Sequence, residues 1–229
     1  MTINWFGHAC FRIETKEGSV LIDPFSKDIG LKPPRIKDNL VLVTHHHYDH
    51  DNLEGVDSEV PIRDARIEDP RSAKPIGTFI IDGPGEYEKQ GISVKGIQSF
   101  HDKSEGKERG LNTIYVIKAE DMTICHMGDY GQDKFEEHQL EEIGDVDVLM
   151  IPVGGVYTID YKEAVDVIRQ IEPKIIIPMH YKLKDLKVDI AGPDKFLKEI
   201  GLTPEKVDKL KIVKKNLPVE EMKLVVLEN

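Results

Sequence analysis

Cysteine is scarce in this chain: Cys10 and Cys125 are the only two among 229 residues, and neither belongs to a Cys-x-x-Cys pair. No disulfide framework is expected, and reduced, buried thiols in a cytoplasmic protein fit best. Long apolar runs are missing too, since no stretch approaches the ~18 consecutive apolar residues of a membrane span. The opening Met1-Thr2-Ile3-Asn4-Trp5-Phe6 runs straight into strand-like sequence, with no basic segment, apolar segment or cleavage site of a secretory signal. Positive charge is in short supply: 31 basic residues against 42 acidic ones leave a net charge of −11. That excludes a broad electropositive surface for nucleic acid or an anionic membrane, so any anion must be met locally. No Ser-His-Asp or Cys-His arrangement is evident either, which leaves covalent catalysis without a candidate nucleophile.

What remains is an ordinary globular composition, 39% apolar and 32% charged, long enough for a well-buried core in one domain covering residues 1–229. The first third reads as a meander of short strands, Ile3 to Phe6, Cys10 to Glu14 and Ser19 to Ile22, followed by an apolar strand from Leu40 to Val43. The polar stretch from Asp51 to Lys74 lacks periodicity and suggests a surface excursion. Strands are expected again at Thr78 to Ile81, Ile92 to Phe100, Asn112 to Ile117, Met122 to His126, Val146 to Val153 and Lys174 to Pro178. The glycines flanking Pro84 mark Gly83 to Glu88 as a turn. Apolar spacing predicts helices at Gln132 to Ile143, Tyr161 to Ile171 and Pro193 to Ile200, with final strands at Lys209 to Val213 and Lys223 to Leu227.

The chemistry is concentrated in His45-His46-His47-Tyr48-Asp49-His50-Asp51, directly after the Leu40 strand. Imidazoles and carboxylates crowded at the end of a buried strand are poorly solvated unless a cation lies between them, so a divalent metal is the first expectation. In extended chain, residues two apart face the same side. His45 and His47 can therefore address one point while His46 faces away, and the turn that follows lets Asp49 and His50 reach the same region or its neighbour. The pattern repeats downstream: apolar strands deliver His101, Asp129 and His180 at their C-terminal ends. Asp129 suits a bridging role, because its two oxygens can hold two ions at once.

Other candidates carry plainer readings. His8, in Gly7-His8-Ala9, is a possible ligand but reads more simply as a structural hydrogen-bonding group. His126 reads as a packed strand residue and His138 as a solvated helix residue. Asp102 to Gly110 is expected to be a loop free to move near the site, with Arg109 and Asn112 as possible substrate contacts. Tyr48, Thr158, Tyr181 and Lys182 stand beside ligands or glycines and could line a pocket.

The motif His-x-His-x-Asp-His, carried here from His45 to His50, together with His101, Asp129 and His180, resembles the metallo-β-lactamase superfamily over essentially the full chain. The resemblance implies an α/β fold, a four-layer αββα sandwich of two mixed sheets flanked by helices, with the site at one edge of the sheets. It implies that His45, His47 and His101 bind one metal ion and that Asp49, His50 and His180 bind a second, with Asp129 bridging. Trp5-Phe6-Gly7-His8-Ala9, Gly83-Pro84-Gly85-Glu86-Tyr87 and Pro152-Val153-Gly154-Gly155 followed by Thr158 look like a small prokaryotic branch that is similar to ascorbate-6-phosphate lactonase.

Such a site predicts a metal-dependent hydrolase. Coordination lowers the pKa of water from ~15.7 to about 7, and the resulting bridging hydroxide attacks a small anionic ester, lactone or phosphodiester while Asp49 orients it. The ligand set suits zinc and also admits manganese or iron. Two other readings stay open: a phosphodiesterase or nuclease for short, flexible nucleic acid, and a metal-stabilised binding or regulatory protein without turnover. A homo-oligomer is compatible with all three.

Overall fold

The computed structural model describes residues 1–54 and 77–228; the excursion expected over Asp51 to Lys74 lies almost wholly outside the described residues. Two mixed sheets face each other. The first has six strands in the order β13-β1-β2-β3-β4-β5, formed by Lys209–Lys211, Thr2–Gly7, Cys10–Glu14, Ser19–Ile22, Leu40–Leu42 and Phe79–Ile81. The second has eight in the order β12-β14-β11-β10-β9-β8-β7-β6, from Pro204–Val207, Lys223–Leu227, Ile175–Met179, Val148–Pro152, Met122–His126, Leu111–Ala119, Ile92–Phe100 and Gly85–Lys89. Among the described residues three α-helices, α1 (Glu137–Ile143), α2 (Tyr161–Ile171) and α3 (Asp194–Ile200), accompany the second sheet, and α2 packs against α3.

Side-chain periodicity explains the layering. β1 alternates between half-buried and buried positions, with Ile3, Trp5 and Gly7 turned inward. The central strands β4, β10 and β11 are buried at every position, as parallel strands covered on both faces require. The main core joins Ile3, Trp5, Phe11, Ile22 and Leu42 to Ile97, Tyr115, Ile117, Ile124 and Met150, and extends to Ala164 and Ile168 on α2. The intervening residues Cys10, Leu21, Val41 and Val43 face the other way and form a second cluster with Phe25, Ile29, Leu186, Val188 and Ile190. Among the described residues this outer face is covered by a 3-10 turn at Lys27–Ile29 and by loop segments rather than by an α-helix.

Strand direction then places the site. In the first sheet β1, β3 and β4 run the same way, because β1 and β3 are both antiparallel to β2 and β3 is parallel to β4. In the second sheet β7, β9, β10 and β11 share one direction by the same logic. The C-terminal ends of each set therefore lie along one edge of their sheet. Hydrogen bonds tie the sheets together there, among them Tyr115 Oη donating to Val43 O at 2.8 Å and Thr113 N–H donating to Thr44 O at 2.9 Å.

Local structure departs from the sequence expectation in four places. Gly85–Lys89 is the edge strand β6 paired with β7, so only Gly83 and Pro84 remain as the turn. The helix expected from Gln132 begins at Glu137, because Gln132 is used as a clamp: its Oε1 accepts from Phe100 N–H and its Nε2 donates to Lys134 O and Gln139 Oε1. β12 forms on Pro204-Glu205-Lys206-Val207, a sequence with little strand character, and β13 stops at Lys211. The loop after His101 is pinned rather than free: the Asp102 carboxylate accepts hydrogen bonds from the N–H groups of Ser104, Gly106, Glu108 and Arg109. Four charge-assisted bonds to one buried carboxylate organise that segment into successive turns.

Candidate metal centre

Six strands deliver polar residues to the shared edge. His8 follows β1, Asp23 follows β3, His45 follows β4, His101 follows β7, Asp129 follows β9 and His180 follows β11. All six are buried. His47, Asp49 and His50 join them from the turn after β4, closed by His50 N–H donating to His47 O at 2.9 Å.

Asp129 is the hub. Its Oδ2 lies 3.1 Å from His180 Nε2, 3.3 Å from His101 Nε2, 3.4 Å from His50 Nε2 and 3.9 Å from His45 Nε2. The backbone forces this position: Asp129 N–H donates to Asn112 Oδ1, and Asn112 Nδ2 donates to Met127 O and Ser99 Oγ. Gly128 adopts φ +57°, and a Cβ there would collide with Asn112 and Thr44, so only glycine permits this approach of the two sheets. Around the hub, His45, His47 and His101 form one cluster of converging donor atoms, His45, His50 and Asp129 a second, and His8, His50 and His180 a third. The ring centroids of His45 and His47 are 4.5 Å apart and those of His45 and His101 4.7 Å. His46 points away as the alternation predicts, exposed and paired with Asp51 and Asp82.

Sequence reasoning missed Asp23. Its Oδ1 accepts from Thr44 N–H, and its Oδ2 accepts from Thr44 Oγ1–H at 2.8 Å and from His50 Nδ1 at 3.0 Å. Thr44 Oγ1, having given its proton to Asp23, accepts from His45 Nδ1 at 2.9 Å. Both imidazoles are therefore fixed with Nδ1 protonated and Nε2 bare. The available signal was an acidic residue at a strand end, Ile22-Asp23-Pro24, the grammar that flagged Asp129.

The bare atoms test whether a metal fits. His45 Nε2, His50 Nε2 and Asp129 Oδ1 are buried without a hydrogen-bond partner. Buried acceptors are seldom left so, and imidazoles anchored at one nitrogen with the other aimed at a carboxylate are the usual preparation for a cation. The residues present thus fit a divalent ion.

Electrostatics agree. Burial and the neighbouring His50 push His45 well below the ordinary histidine range. Burial and His101 lower His47. Burial alone would lower His50, but Asp129 and Asp23 outweigh it and raise its pKa well above the usual value. Asp129 is held far below the carboxylate range, since His180 and His50 overcome the opposing effect of burial. For Asp49 too burial acts upward, yet the bond from His8 and the charge of His50 hold it well below the ordinary value.

A pocket of about 500 Å³ opens onto this edge, lined by His47, Tyr48, Asp49, His101, Arg109 and Tyr157 with Lys187 on the rim. The Arg109 guanidinium lies 5.6 Å from the centre of the Tyr157 ring. Of the other pocket candidates, Asn112 is buried in the scaffold of Asp129, Tyr181 is buried against Trp5, and Lys182 Nζ donates to Leu186 O and Val188 O. Thr158 does not line it. His126 is buried with Nε2 2.9 Å from Ala9 O, and His138 sits on the surface beside Glu136. A larger cleft of about 930 Å³, between Glu86 and Lys214, contains no histidine, and three of its four lysines are paired, Lys95 with Glu142 and both Lys174 and Lys214 with Asp147.

Comparison with known proteins gives the same reading of fold and chemistry. Residues 2–180 match the family profile of the beta-lactamase superfamily domain. A metal-dependent hydrolase of the UPF0173 group from Thermoplasma acidophilum is 35% identical over 207 residues, covering 86% of this chain and 89% of that protein. One from Pyrococcus horikoshii is 32% identical, covering 97% of this chain and 99% of its own length. The crystal structure of a proposed zinc-dependent hydrolase of the metallo-β-lactamase superfamily from Thermotoga maritima superposes with a TM-score of 0.74 at 36% identity, covering 99% of this chain and 97% of that one. The chain belongs to the metallo-β-lactamase superfamily and, within it, to the UPF0173 metal-dependent hydrolases.

Proposed function

We propose that the protein, acting as one domain in the cytoplasm, is a two-metal hydrolase of a small anionic ester, lactone or phosphodiester. The observation that carries this reading is the pair of buried, bare nitrogens of His45 and His50, each locked from behind through Asp23 and aimed at Asp129. His45, His47 and His101 would hold one ion and Asp49, His50 and His180 the other, with Asp129 between them. Zinc suits this nitrogen-rich set, and manganese or iron would also be accepted. When bound, the ions supply a water-derived nucleophile at neutral pH and polarise the oxygen of the scissile group.

The chain's own residues would do the rest. Asp49, ionised at neutral pH, orients the attacking water and receives its proton at a carboxylate oxygen. Arg109, held over Tyr157 by the pinned loop, and Lys187 give an otherwise acidic protein two cations at the pocket, where an anionic group of the substrate would be received. The hydrogen-bonded Asp102 keeps Arg109 in place before substrate arrives. The likeness of the short motifs to the lactonase branch keeps lactones in the substrate set.

The test is metal content per chain in protein purified without chelator, together with hydrolysis of lactones, phosphodiesters and carboxylate-bearing esters. About two ions and metal-dependent turnover on one class are expected. Failure to bind zinc or manganese after reconstitution would overturn the reading.

A further inference from the structure

His8 is absent from the ligand set implied by the superfamily motif, yet it stands inside the metal centre. Its side chain is fully buried, and its Nε2 lies 3.1 Å from Asp49 Oδ2. Its ring centroid is 4.2 Å from that of His180 and 4.8 Å from that of His50. The backbone is committed to this placement. His8 sits at φ +55°, a left-handed conformation that a residue with a Cβ rarely adopts. Its carbonyl accepts from Trp5 Nε1–H at 3.1 Å and from His180 N–H at 3.0 Å. The strand end carrying His8 is thus bonded directly to the one carrying His180.

We propose that His8 is the positioning residue of the second cation's half-site: its Nε2–H holds Asp49 Oδ2 and so fixes the carboxylate beside His50 and His180. The tautomer follows from the partner. A bare Nε2 lone pair facing a carboxylate would repel it, whereas an N–H forms a charge-assisted bond; Nδ1, which has no partner, then keeps only a lone pair. Asp49 comes from a short turn and is the least enclosed carboxylate of the set, so without His8 it would have several rotamers to choose from. The first half-site, His45, His47 and His101, does not touch His8. Its affinity should not depend on this residue.

The inference rests on the two-metal reading and is tested with zinc alone as the probe. Stepwise calorimetric titration would compare the wild type, His8→Ala and His8→Gln, with melting of each metal-free variant as the control for folding. His8→Ala should weaken the second binding step by 10–100-fold, the usual effect of removing a partner that orients a ligand, and leave the first within about twofold. His8→Gln, whose amide reaches the same place and can donate to Asp49, should recover most of the second step. Should His8→Ala fail to fold, the second step of His8→Gln decides alone.

Unchanged second-step affinity in His8→Ala would overturn the proposal. So would an equal loss of both steps, which marks a merely structural role. A second step lost in both variants with the first intact would also overturn it, because His8 would then coordinate the ion itself. A wild type that binds fewer than two zinc ions would defeat the two-metal reading, and that failure shows before any variant is made.

Discussion

Asp129 Oδ2 faces four imidazole nitrogens, while its Oδ1 is buried and bare, so in the proposed two-metal arrangement removal of this one side chain would take an acceptor from both half-sites. Asp129→Ala should lose at least one ion per chain by elemental analysis, whereas His46→Ala, altering only an exposed residue, should retain the wild-type content. Asp23 acts one step behind the ligands, and Asp23→Asn puts an amide donor where Thr44 and His50 both donate. A 10–100-fold fall in zinc affinity is expected, read by competition with a chelating dye. His50 supplies a pH dependence. Asp129 and Asp23 raise its pKa, so protons compete with an ion for its Nε2 and metal affinity should rise with pH. Zinc titrations at several pH values should show this rise, and a flat profile would contradict it.

At the scale of elements, strands with a common direction do the positioning and a few buried polar residues lock their ends. Asp147, just before β10, accepts from Thr123 N–H of β9 at 2.9 Å, from Lys174 Nζ at 2.7 Å and from Lys214 Nζ at 2.9 Å. It ties together the ends of β9, β10 and β11 opposite the metal edge. Asp147→Ala should lower stability by about 2–3 kcal/mol in urea unfolding, the usual value of hydrogen bonds to a charged group. Burial works to raise this carboxyl, but Lys174 and Lys214 prevail and lower it. Its contribution is therefore present above the unfolded carboxylate pKa of ~3.9 and lost as pH falls through the lower folded value, and the variant should lack that acid-side dependence.

For the whole molecule, the metal edge joins the two sheets, because β1, β3 and β4 deliver His8, Asp23 and His45 while β7, β9 and β11 deliver His101, Asp129 and His180. Ions held by both sheets should stabilise the sandwich as a unit. At a free zinc concentration 1,000-fold above Kd the expected gain is about 4 kcal/mol per site, seen as a rise in Tm that a chelator reverses. A Tm indifferent to zinc would show that the folded protein does not bind it in preference to the unfolded chain.

The sequence by itself determined the chemistry: strand-end histidines and aspartates are legible because an imidazole at the end of a buried apolar run is costly unless a cation meets it, and period-two alternation separates His45 and His47 from His46. It also determined most strands and α2, whose patterns are strong. The tertiary structure decided what depends on partners distant in sequence. Asp23, 27 positions before His50, looks like an ordinary Asp-Pro turn until β3 and β4 pair in parallel and bring it under that ring. His8 reads as a structural histidine until the left-handed turn after β1 sets it against Asp49 and His180. Gln132 and Asp102 spend their polar atoms on neighbouring backbone, one shortening a helix and the other fixing a loop, and propensity carries no record of such bonds. Local pattern reports which face is apolar and which residues are costly to bury; only packing fixes which of those costly groups meet.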